Sequence, residues 1–167
     1  IFCALSLLAL VLGACGQPAP GRGTTATVEV IRAVVTIKDP TGQHAIDQHE
    51  RLAPGSTLTI AERAQAVLHH DGGARLLLDG GAVMALGERG WVLSAGRLWA
   101  DVSAAGDNRG ADAAVVELQL GALTLLGDGA GFEVSAQPPG VVVVRGEVAW
   151  RGPAGRGVIR AGERASG

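Results

Sequence analysis

The sequence predicts an all-β fold of many short, mostly antiparallel strands, arranged in a sandwich or a compact solenoid-like stack. Three observations predict it. Apolar residues alternate with polar ones over short runs, the period of a half-buried strand. The 26 glycines fall singly or in pairs between those runs, at the spacing of turns. No sustained 3.6-residue apolar period occurs; the one helical hint, Ala61, Glu62, Ala64, Gln65 and Ala66, amounts to a turn with at most one helical turn. At 167 residues and 47% hydrophobic, the chain is of single-domain size and can bury a real core.

Residues 1–14 are almost wholly apolar and leucine-rich from Leu5 to Leu12, which fits the hydrophobic segment of a secretory signal peptide and falls short of the ~20 residues of a spanning helix. The run closes on Leu12-Gly13-Ala14-Cys15, which resembles the lipobox of bacterial lipoproteins: an aliphatic residue, two small ones, then the cysteine that is acylated. The resemblance implies cleavage before Cys15, a diacylglyceryl group on its thiol, and a membrane anchor through that lipid in the bacterial cell envelope. Gly16, where aspartate would stand for retention, resembles outer-membrane sorting, so the expected address is the outer membrane, facing the periplasm. Cys3 leaves with the signal and no disulfide is expected. The competing expectation is an uncleaved signal anchor, because Ile1 is not methionine and no positively charged segment precedes the apolar run. Residues 15–26 read as lipidated cysteine plus a small, polar, proline-bearing tether, and 27–167 as the β domain.

In that domain Val28, Val30, Ala33, Val35 and Ile37 mark a first strand or bent strand pair, ended by the turn signal Asp39-Pro40-Thr41-Gly42. Strands are then expected at Thr57 to Ile60, Ala66 to His70, Ala74 to Leu78, Ala82 to Leu86, Trp91 to Leu93 and Arg97 to Val102. Asp71-Gly72-Gly73 and Asp79-Gly80-Gly81 read as tight hairpins, since glycine tolerates positive φ and aspartate caps the turn. Ala104 to Asp112 reads as an exposed loop. Six further strands follow: Val115 to Leu120, Leu123 to Leu126, Gly131 to Ser135, Val141 to Val144, Glu147 to Trp150 and Gly157 to Arg160.

Composition excludes several function classes. With 14 basic and 16 acidic residues scattered along the chain, there is no basic stripe for nucleic acid and no polybasic membrane patch. Three tryptophans, two phenylalanines and no tyrosine make a poor stacking platform. His69-His70-Asp71 is the densest group of metal-ligand types, but adjacent strand residues point to opposite faces; His44, His49, Asp47 and Glu50 fall in a polar stretch that reads as a surface loop. Asp71, Asp79 and Asp128 each precede glycine as turn caps, without the alternating oxygen ligands of a calcium loop. No helix pattern follows Gly127-x-Gly129-x-Gly131 to receive an anion, and no Ser-His or Cys-His constellation suggests a hydrolase. The expectation is therefore no enzyme, no catalytic residue, no metal site and no cofactor. In Gly96 to Val102, alternation puts Leu98, Ala100 and Val102 on one face and Arg97, Trp99 and Asp101 on the other; an exposed tryptophan beside an arginine is a common interface anchor, so these three are the candidate interface. Trp91, in phase with Leu93, and Trp150, in phase with Val148, read as core.

A longer pattern joins these pieces: Leu52-x-x-Gly55, Ala64-x-Ala66-x-Leu68, Asp71-Gly72, Leu93-x-x-Gly96-x-Leu98, Gly129-Ala130-Gly131-Phe132-Glu133-Val134 and Val144-x-Gly146-x-Val148. In this order they resemble the FecR-type periplasmic domain, over roughly residues 28–162. The resemblance implies a non-catalytic β module known best as the sensing half of an anti-sigma regulator that contacts an outer-membrane transducer. With the expected lipid anchor, and with no anti-sigma helices among the residues before the apolar run, control of a sigma factor is not expected to carry over; what is expected to carry over is binding to an envelope protein in sensing, signalling or scaffolding. The alternative is a carbohydrate- or peptidoglycan-binding β module.

Overall fold

The computed structural model describes residues 26–71, 73–87, 90–102 and 115–166. Segment 1–14, Cys15, the tether to residue 25 and the expected loop Ala104 to Asp112 lie outside the described residues. The described chain is all-β: β1 (Ala26–Arg32), β2 (Val35–Asp39), β3 (Gly42–Ile46), β4 (His49–Leu52), β5 (Thr57–Ile60), β6 (Gln65–His70), β7 (Arg75–Leu78), β8 (Val83–Leu86), β9 (Trp91–Ala95), β10 (Arg97–Asp101), β11 (Val116–Leu120), β12 (Leu123–Ala136), β13 (Pro139–Gly152), β14 (Gly155–Arg160) and β15 (Arg164–Ser166).

The choice between sandwich and stack resolves into one continuous sheet, nearly closed into a barrel-like shape. Its path has two arms that meet on β12: β3-β2-β5-β8-β9-β11 on one side and β10-β7-β6-β1-β4 on the other. The first part of β12 pairs with β11 (Leu123 with Leu120 to Gly127 with Val116), the second with β10 (Gly131 with Asp101 to Ser135 with Arg97). Along its other edge β12 forms a long hairpin with β13, on which β14 and β15 are laid. Pairing is antiparallel except between β9 and β11.

Period-two patterning explains why the sheet closes. Val28, Leu68, Leu76 and Leu98 from one arm, Val35, Leu58, Met84, Leu93 and Leu118 from the other, and Phe132 from β12 meet in a single buried cluster. Burying each such side chain contributes roughly 1.5–3 kcal/mol, and neither arm buries its apolar face by itself. Trp91 belongs to this core, and Trp150 is partly buried against it.

Three expectations are corrected. The polar stretch with His44, Asp47, His49 and Glu50 is no loop: it holds β3 and β4, the two ends of the path, joined by Asp47 and Gln48. Asp79-Gly80-Gly81 is no hairpin, because β7 pairs with β6 and β10 while β8 pairs with β5 and β9. Leu123 to Ser135 and Val141 to Trp150 form one strand each rather than two, with register irregularities between Asp128 and Phe132. The helical hint is a turn, closed by the Ala64 N–H donating to the Ala61 carbonyl (2.8 Å).

Candidate functional site

On the outer face, side chains in register form a row across five strands: Val67 of β6, Leu77 of β7, Trp99 of β10, Glu133 of β12 and Val142 of β13. The inner face of the same strands carries Leu68, Leu76, Ala100, Phe132 and Val143, all buried, which fixes the phase of every strand. The expected alternation of β10 holds: Leu98 and Ala100 point into the core while Arg97, Trp99 and Asp101 share the outer face.

Trp99 is half-buried, and its indole lies over Gly131, where a Cβ would come within 3.4 Å of Cζ2. The diagonal neighbour of Trp99 is thus a residue without a side chain, which gives the ring a flat backbone bed. Charged pairs flank it on both sides. Arg97 reaches Asp79 (Nη2 to Oδ2, 3.3 Å) and Glu133 (Nη1 to Oε1, 3.8 Å). Arg145 Nη2 donates to Asp101 Oδ1 at 2.6 Å. The row thus has an apolar centre with paired charges beside it, and exposed ion pairs of this kind contribute little stability.

Most of the other ligand-type residues make separate contacts. His69 faces outward and contacts Glu29 (2.9 Å), while the next residue, His70, is half-buried, and burial holds its pKa below the ordinary histidine value against the pull of neighbouring Asp71. Asp71 pairs with Arg51 at 3.1 Å. Asp128 and Gly127, Gly129 and Gly131 sit inside β12 at its irregular segment, not in a loop. His49 is exposed on β4 opposite Glu29. Cys15 lies outside the described residues.

One convergence was not weighed from sequence. The β2–β3 hairpin pairs Ile37 with His44 and Asp39 with Gly42, so Asp39 and His44 share a face. His44 Nε2 lies 2.9 Å from both carboxylate oxygens of Glu50 on β4. Asp39 Oδ1 accepts from the Thr41 hydroxyl (2.6 Å), the Thr41 N–H (2.8 Å) and the Gly42 N–H (3.0 Å). Led by the Thr41 hydroxyl, these bonds favour the carboxylate and hold its pKa below the ordinary value. The sequence signal was available: a two-residue Pro40-Thr41 loop fixes that register.

No protein-family model matches the chain, and no curated protein matches it.

Proposed function

We propose that this chain is a lipid-anchored, non-catalytic protein of the bacterial cell envelope, with a FecR-like β domain that works by binding another envelope protein through the outer face of β10. The observation that carries this reading is Trp99: half-exposed, bedded on Gly131 and flanked by the Arg97 and Asp101 ion pairs. An indole with one face against the sheet and one edge in solvent is preorganised, so docking onto it costs little conformational entropy. The lipobox-like segment ending at Cys15 and the ordered FecR-like motifs support the address and the class.

The test is capture of envelope proteins by the immobilised chain, comparing wild type with Trp99→Ala at matched thermal stability. A partner band weakened by Trp99→Ala supports the interface; unchanged capture sinks it. The second reading, binding of a glycan or peptidoglycan fragment, draws on the same half-exposed indole. A saturable change in tryptophan fluorescence with peptidoglycan fragments, absent in Trp99→Phe, would favour it over protein binding.

A further inference from the structure

We propose that Asp39, His44 and Glu50 form a divalent-metal site, with Zn²⁺ as the ion, that clasps the two free ends of the sheet. Each residue offers one ligand atom, and the three atoms lie within 4.8 Å of one another. Zinc bonds of ~2.0–2.2 Å in a tetrahedral site set ligand atoms about 3.4 Å apart, so modest side-chain rotations suffice. His44 Nε2 and the Glu50 oxygens, at 2.9 Å, would open slightly to admit the ion.

The donor set decides the class of ion. One imidazole nitrogen with two carboxylates, and no thiolate, disfavours the all-oxygen cages of Ca²⁺ and Mg²⁺ and the sulfur sites of Cu⁺. Three protein ligands leave a position for water, which suits a rim open to solvent. The same His–Glu contact occurs at His69 and Glu29, also 2.9 Å, yet among the described residues no third ligand group joins it.

The position of the three residues in the fold points the same way. β3 and β4 end the path and do not pair with each other. His44 stands opposite buried Ile37, and Glu50 opposite buried Val28, so both lie on the core-facing side of their strands where the core stops. A metal there would link the arms at the place where backbone hydrogen bonds do not. This proposal is independent of the Trp99 interface, which lies on the outer face.

The test titrates ZnCl₂ into the full chain, without a histidine tag and freed of metal by chelation, by calorimetry with thermal unfolding in parallel. One equivalent of Zn²⁺ should bind and raise Tm, since an ion bound only to the folded state stabilises it. His44→Ala should abolish binding. Asp39→Asn, a conservative change on an exposed hairpin, should weaken it at least about tenfold, no less than losing an outer-shell partner costs. His69→Ala should leave it intact. No binding by wild type, binding as tight as wild type by His44→Ala or Asp39→Asn, or a preference for Ca²⁺ over Zn²⁺ would each overturn the proposal.

Discussion

Asp71-Gly72-Gly73 and Asp79-Gly80-Gly81 are the same tripeptide, each following an apolar strand, and the fold uses them in opposite ways. The first returns the chain along its own strand: β6 and β7 pair with His69 opposite Arg75, and the His70 N–H donates to the Ala74 carbonyl. The second carries the chain from one arm to the other. Its hydrogen bonds go to other corners, with the Asp79 N–H on the Arg97 carbonyl (3.2 Å), the Gly81 N–H on the Ile60 carbonyl (2.9 Å) and the Ala82 carbonyl accepting from the Ile60 N–H (2.9 Å). Local chemistry specifies that the chain turns sharply; which strand edge receives it is decided by contacts distant in sequence.

The sharpest way to break this comparison is a pair of alanines. A Cβ on Gly80 would lie 1.9 Å from the Glu62 carbonyl oxygen and 2.5 Å from its carbon, backbone atoms that cannot swing aside. Gly80→Ala is expected to cost about 3 kcal/mol or more, at the upper end of overpacking. A Cβ on Gly73 would meet nothing within 4 Å, and its φ of +94° sets the cost, so Gly73→Ala should cost about 1–2 kcal/mol. Urea unfolding of both variants measures the difference; equal losses would mean that the crowded corner and the open hairpin are energetically alike.

Side chains sharpen it further. Asp79 accepts from Gln65 (3.2 Å) and Arg97 (3.3 Å), tying the corner to the strands beside it. Asp79→Ala should destabilise by about 1 kcal/mol, the worth of partly exposed hydrogen bonds. A double-mutant cycle with Arg97→Ala should return less than the sum of the two single losses.

The smallest effect lies at the hairpin and depends on pH. Burial lowers the His70 pKa below its ordinary 6.5, and Asp71 only partly offsets this. The unfolded chain therefore takes up the proton more readily than the folded one. The contribution of this group to stability is fully present above about pH 6.5 and is lost as pH falls below it towards the folded value. His70→Gln should narrow the gap between urea midpoints at pH 7.5 and pH 5.5; an unchanged gap would place the pH dependence elsewhere.

Much of this was legible in the sequence where burial is one-sided. β10 alternates so cleanly that the faces of Arg97, Leu98, Trp99, Ala100 and Asp101 follow from period alone. β3 was illegible for the complementary reason: as an end strand it is exposed along Gly42, Gln43, His44 and Ala45, so no apolar alternation marks it. Without β3 and β4 as strands, the meeting of Asp39, His44 and Glu50 had no geometry to rest on. Gly127 to Gly131 reads as a turn because glycine permits one, yet the chain pairs with β13 on both sides of that irregular segment; the space a Cβ on Gly127 would need, 2.6 Å from Cε1 of Phe132, is taken by a core ring.

The place of β12 between the arms has a consequence for assembly. Through residue 102 the chain can form two half-sheets, β3-β2-β5-β8-β9 and β10-β7-β6-β1-β4, each with a raw edge at β9 or β10. In a chain emerging N-terminus first, every strand of both halves precedes the strand that unites them. During that interval two unprotected edges face the surroundings, the condition under which strands recruit wrong neighbours. Arrival of β11 and β12 covers both at once, so the last third of the chain acts as the latch of folding.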